Sequence, residues 1–211
     1  MQLPSTLLIA FEVGGTVAFA TSGLIEAMRK RMDVVGVFSV AFASAFGGGT
    51  VRDLLLDRRP LFWVEHEGYL WLVLAMAVTA PLWLSVALRQ TGARLMVLAD
   101  ALGLGLFAIS GTSIALTAGM SPLVSALMGI ATAIVGGVAR DVLCNEVPHV
   151  YRDHRPYALC ALAGSAVYLG LTALQVGSGW ASLAGVVVAT GSRLLAVALG
   201  WRLPGWRPRE P

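Results

Sequence analysis

The chain has 211 residues, 57% of them hydrophobic and only 13% charged, with a mean hydropathy of +0.77. Soluble domains run at about 45–50% apolar and about 25% charged residues, so the solvent is lipid and an ordinary soluble enzyme or binding module is excluded. The net charge is +3, and the 15 Lys and Arg lie mainly between apolar blocks. That distribution suits membrane orientation and argues against nucleic acid, which requires a basic face on a soluble module.

A crossing helix needs about 20 apolar residues, and such blocks fall at about 4–28, 34–56, 68–88, 95–117, 122–144, 156–175 and 181–202. The expected fold is an all-α polytopic membrane protein with seven transmembrane helices in a single domain, 1–211. Residues 1–10 carry no Lys or Arg, so the first block reads as a retained span rather than a cleaved signal. It contains Glu12, roughly 12 Å below the outer edge at 1.5 Å per residue, followed by Thr16, Thr21 and Ser22. The second span ends in Gly47, Gly48, Gly49, Thr50, Val51, Arg52 and Asp53, three glycines and then a charged pair. Trp83 lies inside the third span as a packing residue. The fourth holds Asp100, roughly 9 Å above the inner edge, and Ser110, Thr112, Ser113 and Thr117. The fifth repeats the glycine motif as Gly136, Gly137, Val138, Ala139, Arg140 and Asp141. Cys144 and Cys160 stand 16 apart, without a CxxC or His-rich context, and read as small buried hydrophobes; no cofactor or metal is indicated.

Positive charge sets the orientation. Arg29, Lys30, Arg31, Arg89, Arg94, Arg152, Arg155, Arg202, Arg207 and Arg209 fall in the first, third and fifth connections and the tail, whereas the opposite side has only Arg58 and Arg59, diluted by Asp57, Glu65 and Glu67. The N-terminus is expected outside and the C-terminus in the cytoplasm of a bacterial inner membrane. Trp63, Trp71 and Trp180 near the outer ends, and Trp201 and Trp206 near the inner end, fit an aromatic belt.

Sliding the chain on itself by 88 positions aligns residues 12–69 with 100–157 without a gap, with 17 identities in 58 pairs, which supports duplication. Matched residues include Ser22 with Ser110, Arg52-Asp53 with Arg140-Asp141, His66 with His154 and Tyr69 with Tyr157, and Glu12 meets Asp100. Each unit holds three spans, an odd number, so the second enters the membrane from the opposite side. The result is an inverted repeat, about 4–90 and 94–175, with the last span, about 181–202, outside the symmetry. Such repeats place substrate or ion sites near the midplane on interrupted helices.

Glycine loosens a helix by about 1 kcal/mol relative to alanine, and freed backbone in lipid must face protein or a water-filled cavity. The second and fifth helices are therefore expected to break at their glycines and open onto a shared path. Depth permits Glu12 to pair with Arg52, and Asp100 with Arg140. Adjacent Arg and Asp point about 100° apart on a helix, so Arg52 is not expected to neutralise Asp53. The pore or gate set is Gly47, Gly48, Gly49, Arg52, Asp53, Gly136, Gly137, Arg140, Asp141, Ser22, Ser110, Glu12 and Asp100. His66, His149 and His154 lie in connections and read as solvated interfacial residues. No nucleophile with a base, HExxH or P-loop is present, so no enzyme is expected.

With GGGTVRD at 47–53 and GGVARD at 136–141 inside inverted three-helix units, the chain resembles the bacterial branch of the trimeric intracellular cation channel family, whose bacterial members are also described as glycine transporters. The resemblance covers nearly the whole chain. It implies a homotrimer with one hydrophilic pore per protomer carrying potassium and sodium, and kinks at the glycines. Val135 stands where the first motif has Gly47, and the lipid-linked basic features of eukaryotic members are not evident. The competing readings are a secondary transporter for glycine or another small zwitterion, which an arginine and a carboxylate would bind, and a scaffold packed dry at its glycines.

Overall fold

A computed structural model describes residues 4–90, 92–152 and 155–204, and the side chains of all of these except 83 and 85–90. His154, Trp206, Arg207 and Arg209, and the side chains of Trp83 and Arg89, therefore lie outside the described residues. Within them the chain forms nine helices and no strand: α1 (Ser5–Arg29), α2 (Val34–Leu55), α3 (Phe62–Glu65), α4 (Gly68–Gln90), α5 (Gly92–Thr117), α6 (Pro122–Leu143), α7 (His149–Arg152), α8 (Ala158–Ala173) and α9 (Ser178–Ala198). Five of these, α1, α2, α5, α6 and α9, are long and apolar enough to cross a membrane; α4 and α8 add shorter apolar runs, Gly68–Leu82 and Ala158–Ala173. The four-residue helices α3 and α7 were not expected. Each sits in the connection after a glycine-bearing helix, where it carries the partner of a buried aspartate.

Local chemistry fixes the helix ends, and it does so twice at a spacing of 88. Asp33 caps α2 by accepting the Gly36 N–H, and Ser121 caps α6 by accepting the Val124 N–H ahead of Pro122. At the other ends Asp57 (φ 51°) and Asn145 (φ 56°) take the left-handed conformation that Asp and Asn tolerate better than most side chains. The Arg58 N–H then returns to the Asp53 carbonyl and the Glu146 N–H to the Asp141 carbonyl, satisfying terminal acceptors in the Schellman manner.

Helix α5 occupies the centre, packed by α1, α6, α8 and α9, while α2 lies against α1 and α6, and α4 against α1 and α2. One apolar cluster joins α1, α2 and α4 through Leu24, Val40, Phe46, Phe62 and Val73. A second joins α1, α5, α6 and α8, and in it the rings of Phe19 and Phe107, 88 positions apart, stack with centroids 5.5 Å apart.

The expected helix breaks are corrected by the structure: α2 and α6 run uninterrupted through their glycines. The glycines instead let the two helices touch. A Cβ on Gly48 would fall on the Thr132 carbonyl oxygen, and one on Gly136 on the Ser44 carbonyl oxygen. These contacts are reciprocal, because Ser44 and Thr132 are also 88 apart. Neighbouring glycines do other work: Gly49 makes room for the Phe62 ring, and Gly47 meets only ordinary contacts from 3.7 Å outward. Small residues at a membrane helix crossing allow close backbone approach, and that function outweighs the loosening that glycine brings to an isolated helix.

Candidate functional site

Two arginines lie at the end of the glycine motifs, each built into a corner by the same steps. In the first, Arg52 on α2 is fully buried, its Nε donates to Asp53 Oδ1 at 2.8 Å, and its Nη1 lies 3.1 Å from Glu12 Oε1 on α1, an ion pair without hydrogen-bond alignment. The other oxygen of Asp53 accepts the backbone N–H of Phe62 at 2.8 Å, at the start of α3. The Phe62 ring lies under the guanidinium, 5.2 Å from Cζ to centroid. In the second corner Arg140 Nε donates to Asp141 Oδ1 at 2.9 Å and Nη1 to Asp100 Oδ1 at 2.8 Å. Asp141 Oδ2 accepts the His149 N–H, 2.9 Å away, at the start of α7, and contacts His149 Nδ1 at the same distance.

The expected cross-helix pairs, Glu12 with Arg52 and Asp100 with Arg140, are therefore present. The expectation that an arginine cannot reach the aspartate beside it is corrected. The two Cα–Cβ bonds do diverge, but the long arginine side chain folds back to present Nε, while the aspartate is held by a backbone N–H from the following short helix. Each buried guanidinium thus has two carboxylates. An arginine buried here with no counter-charge would be costly, and each of these two lies within ion-pair distance of two carboxylates.

The corners differ in their remaining contacts. Ser22 accepts a hydrogen bond from Arg140 Nη1, so it belongs to the second corner although it lies on α1. Its repeat mate Ser110 instead bonds its own helix, Oγ to the Phe107 carbonyl at 3.4 Å, and touches neither arginine. That is the ordinary behaviour of a hydroxyl in a membrane helix. In the first corner the Nη2 of Arg52 is buried without a hydrogen-bond partner among the described residues, and so are the hydroxyls of Tyr69 and of its repeat mate Tyr157.

Two participants were not placed in the site by the sequence. His149, read there as a solvated interfacial residue, is corrected to a partner of Asp141, and it remains 38% exposed at its side chain. Arg193, on α9 outside the repeat, is buried at 7% exposure, with its guanidinium 4.7 Å over the Tyr157 ring and Nη1 reaching the Pro156 carbonyl at 3.4 Å. A cavity of about 190 Å³ is lined by Arg29, Asp100, Arg140, His149 and Arg193. At the same end, Lys30 Nζ bridges to Glu146, which also receives Arg152 at 3.2 Å. These three groups join the connection after α1 to the one after α6. The bridge holds the Glu146 carboxyl below the usual carboxylate range and lifts the Lys30 ammonium above its usual range, in both cases chiefly through their hydrogen bond. Cys144 and Cys160 are free and buried, and no group of metal-ligating side chains occurs among the described residues.

Comparisons with known proteins bear on the same residues. The family described as Glycine transporter matches residues 9–85 and again 97–173, stretches that begin 97 − 9 = 88 positions apart. The UPF0126 membrane protein of Vibrio cholerae is 35% identical over 204 residues, covering 96% of this chain and 84% of that protein. The UPF0126 inner membrane protein YadS of Escherichia coli K12 is 34% identical over 197 residues, covering 92% and 93%. Among solved structures, the TRIC trimeric intracellular cation channel orthologue from Rhodobacter sphaeroides superposes with a TM-score of 0.86 at 36% identity, covering 93% of this chain and all of that one (100%).

Proposed function

The chain belongs to the Glycine transporter family and shares the fold of a TRIC trimeric intracellular cation channel orthologue, and on that premise we propose that it is a channel for monovalent cations, potassium and sodium. In this reading a hydrophilic pore runs inside each protomer of a homotrimer, not along the threefold axis. Seven helices cross the bacterial inner membrane: α1, α2, α4, α5, α6, α8 and α9, with the N-terminus outside and the C-terminus cytoplasmic. The first six form two inverted three-helix repeats, about 4–90 and 94–175, and α9 is the seventh, outside the symmetry. Support for the repeat comes from helix caps, left-handed turns and glycine crossings that recur 88 positions apart.

The observation that carries the cation reading is the doubled carboxylate at each arginine. A bare guanidinium in a narrow path repels cations, but Arg52 faces Glu12 and Asp53, and Arg140 faces Asp100 and Asp141. Each corner, counted by itself, then has one carboxylate more than arginine, which favours a cation. In this reading the arginines act as braces or gates at opposite depths. Gly48 and Gly136 hold α2 against α6 in a closed arrangement, and parting of that crossing opens the path; Gly47, Gly49 and Gly137 flank it, and Ser22 and Ser110 supply hydroxyls along it.

A second reading, a secondary transporter for glycine or another small zwitterion, is favoured by the family's description and by the unpartnered Nη2 of buried Arg52, which could receive a carboxylate. Vesicles containing the purified protein separate the two. The channel predicts rapid potassium efflux that is indifferent to glycine, whereas saturable glycine uptake with no potassium leak would overturn it.

A further inference from the structure

Each arginine corner pairs one guanidinium with two carboxylates, and α9 adds a charge to only one of them. Arg193 brings a third buried guanidinium to the second corner, and among the described residues no carboxylate lies within ion-pair distance of it. Its contacts are the face of Tyr157 and one long bond to the Pro156 carbonyl. The carboxylates nearby are engaged elsewhere: Glu26 with Arg29, and Asp100 and Asp141 with Arg140. The first corner gains no equivalent guanidinium from the repeat, because Arg193 lies on α9, outside the 88-residue symmetry. Arg58 is the nearest comparable cation there, and it is 35% exposed and paired to Glu65 at 3.7 Å.

Counting formal charge makes the consequence plain. Arg52 with Glu12 and Asp53 sums to −1, and Arg140 with Asp100 and Asp141 also sums to −1. Arg193 brings the second corner to zero, and it does so at the wall of the cavity that Asp100 and Arg140 line. We propose that Arg193 is a selectivity-determining residue: it cancels the excess carboxylate of the second corner, lowers cation occupancy of the cavity, and makes conduction differ between the two directions. This rests on the cation-channel reading. Arg193 acts through the field in the cavity, in company with Arg29 and His149, so its effect must fade with ionic strength. In water a unit charge about 10 Å from an ion alters the ion's local concentration about twofold, and salt in the cavity weakens that field, though less for a buried charge than for an exposed one.

The test is unitary current through the purified protein in planar bilayers, for wild type, Arg193→Gln and Arg193→Lys, at low and high potassium chloride and fixed pH. Arg193→Gln should raise unitary potassium conductance about twofold at low salt. The increase should be larger for ions entering from the cavity side and should shrink at high salt. Arg193→Lys keeps the charge and should behave as wild type, which separates the field from loss of the Tyr157 contact. Equal low-salt conductance for wild type and Arg193→Gln, or an increase that Arg193→Lys shares, overturns the proposal and leaves the channel reading standing. Silence of all three proteins overturns both.

Discussion

Substituting Gly48 by alanine isolates the close crossing of α2 and α6. The new methyl group would meet the Thr132 carbonyl oxygen and carbon, with Cα at 3.4 Å, all of them backbone atoms in the middle of a helix. No side chain can rotate away, so the two helices must part. Overpacking of this kind costs about 1–3 kcal/mol, against which better helix propensity returns up to about 1 kcal/mol. Gly47→Ala is the internal control. Its Cβ would meet Ala139, Gly136 and Val135 from 3.7 Å outward, an ordinary contact distance. Only the propensity gain then remains, so that variant should be neutral or slightly stabilised. The assay is thermal unfolding of detergent-purified protein for both variants and for Gly136→Ala, whose methyl would meet the Ser44 carbonyl in the reciprocal contact. Gly48→Ala and Gly136→Ala should melt well below wild type and Gly47→Ala should not. Equal melting of Gly48→Ala and Gly47→Ala would refute the assignment of these glycines to helix crossing.

Other expectations follow from the ion pairs. Arg140→Ala strands Asp100 and Asp141 in a buried corner, and removing one partner from such a pair costs about 3–5 kcal/mol; a thermal melt close to wild type would contradict the geometry. Arg52→Ala and Arg140→Ala should each change open probability in bilayers, since each arginine braces helices that the proposed gate separates. Glu146 has its carboxyl lowered and Lys30 its ammonium raised, so their bridge contributes from above the ordinary carboxylate range up to the ordinary ammonium range. It is lost as pH falls through the depressed Glu146 value or rises through the elevated Lys30 value. A double-mutant cycle on melting temperature should show coupling at neutral pH that shrinks with added salt, and coupling unchanged by salt would contradict a solvent-exposed pair.

The sequence made the long helices legible because lipid forces apolar runs of a set length, and the cross-helix pairs legible because depth along each span constrains which charges can meet. Depth permitted Glu12 with Arg52 and Asp100 with Arg140, and both pairs are present. Contacts that depend on side-chain reach were not legible in the same way. The direction of the Cα–Cβ bond argued against Arg52 meeting Asp53, yet three rotatable bonds bring Nε to 2.8 Å from its carboxylate. The glycines were misread for a related reason: helix propensity describes an isolated helix, and nothing local in Gly48 announces that Thr132 lies across from it. His149 and Arg193 escaped because neither belongs to the 88-residue identity pattern. The signal that could have exposed Arg193 was its position, an arginine well inside an apolar span, which in lipid calls for a partner or a function.

Doubled carboxylates make this a path for cations in the proposed reading, and unitary currents under a potassium chloride gradient test that most directly. Purified protein in a planar bilayer should give discrete steps whose reversal potential lies toward the potassium equilibrium value. A reversal potential toward chloride, or no current from protein that takes up glycine saturably, would contradict it.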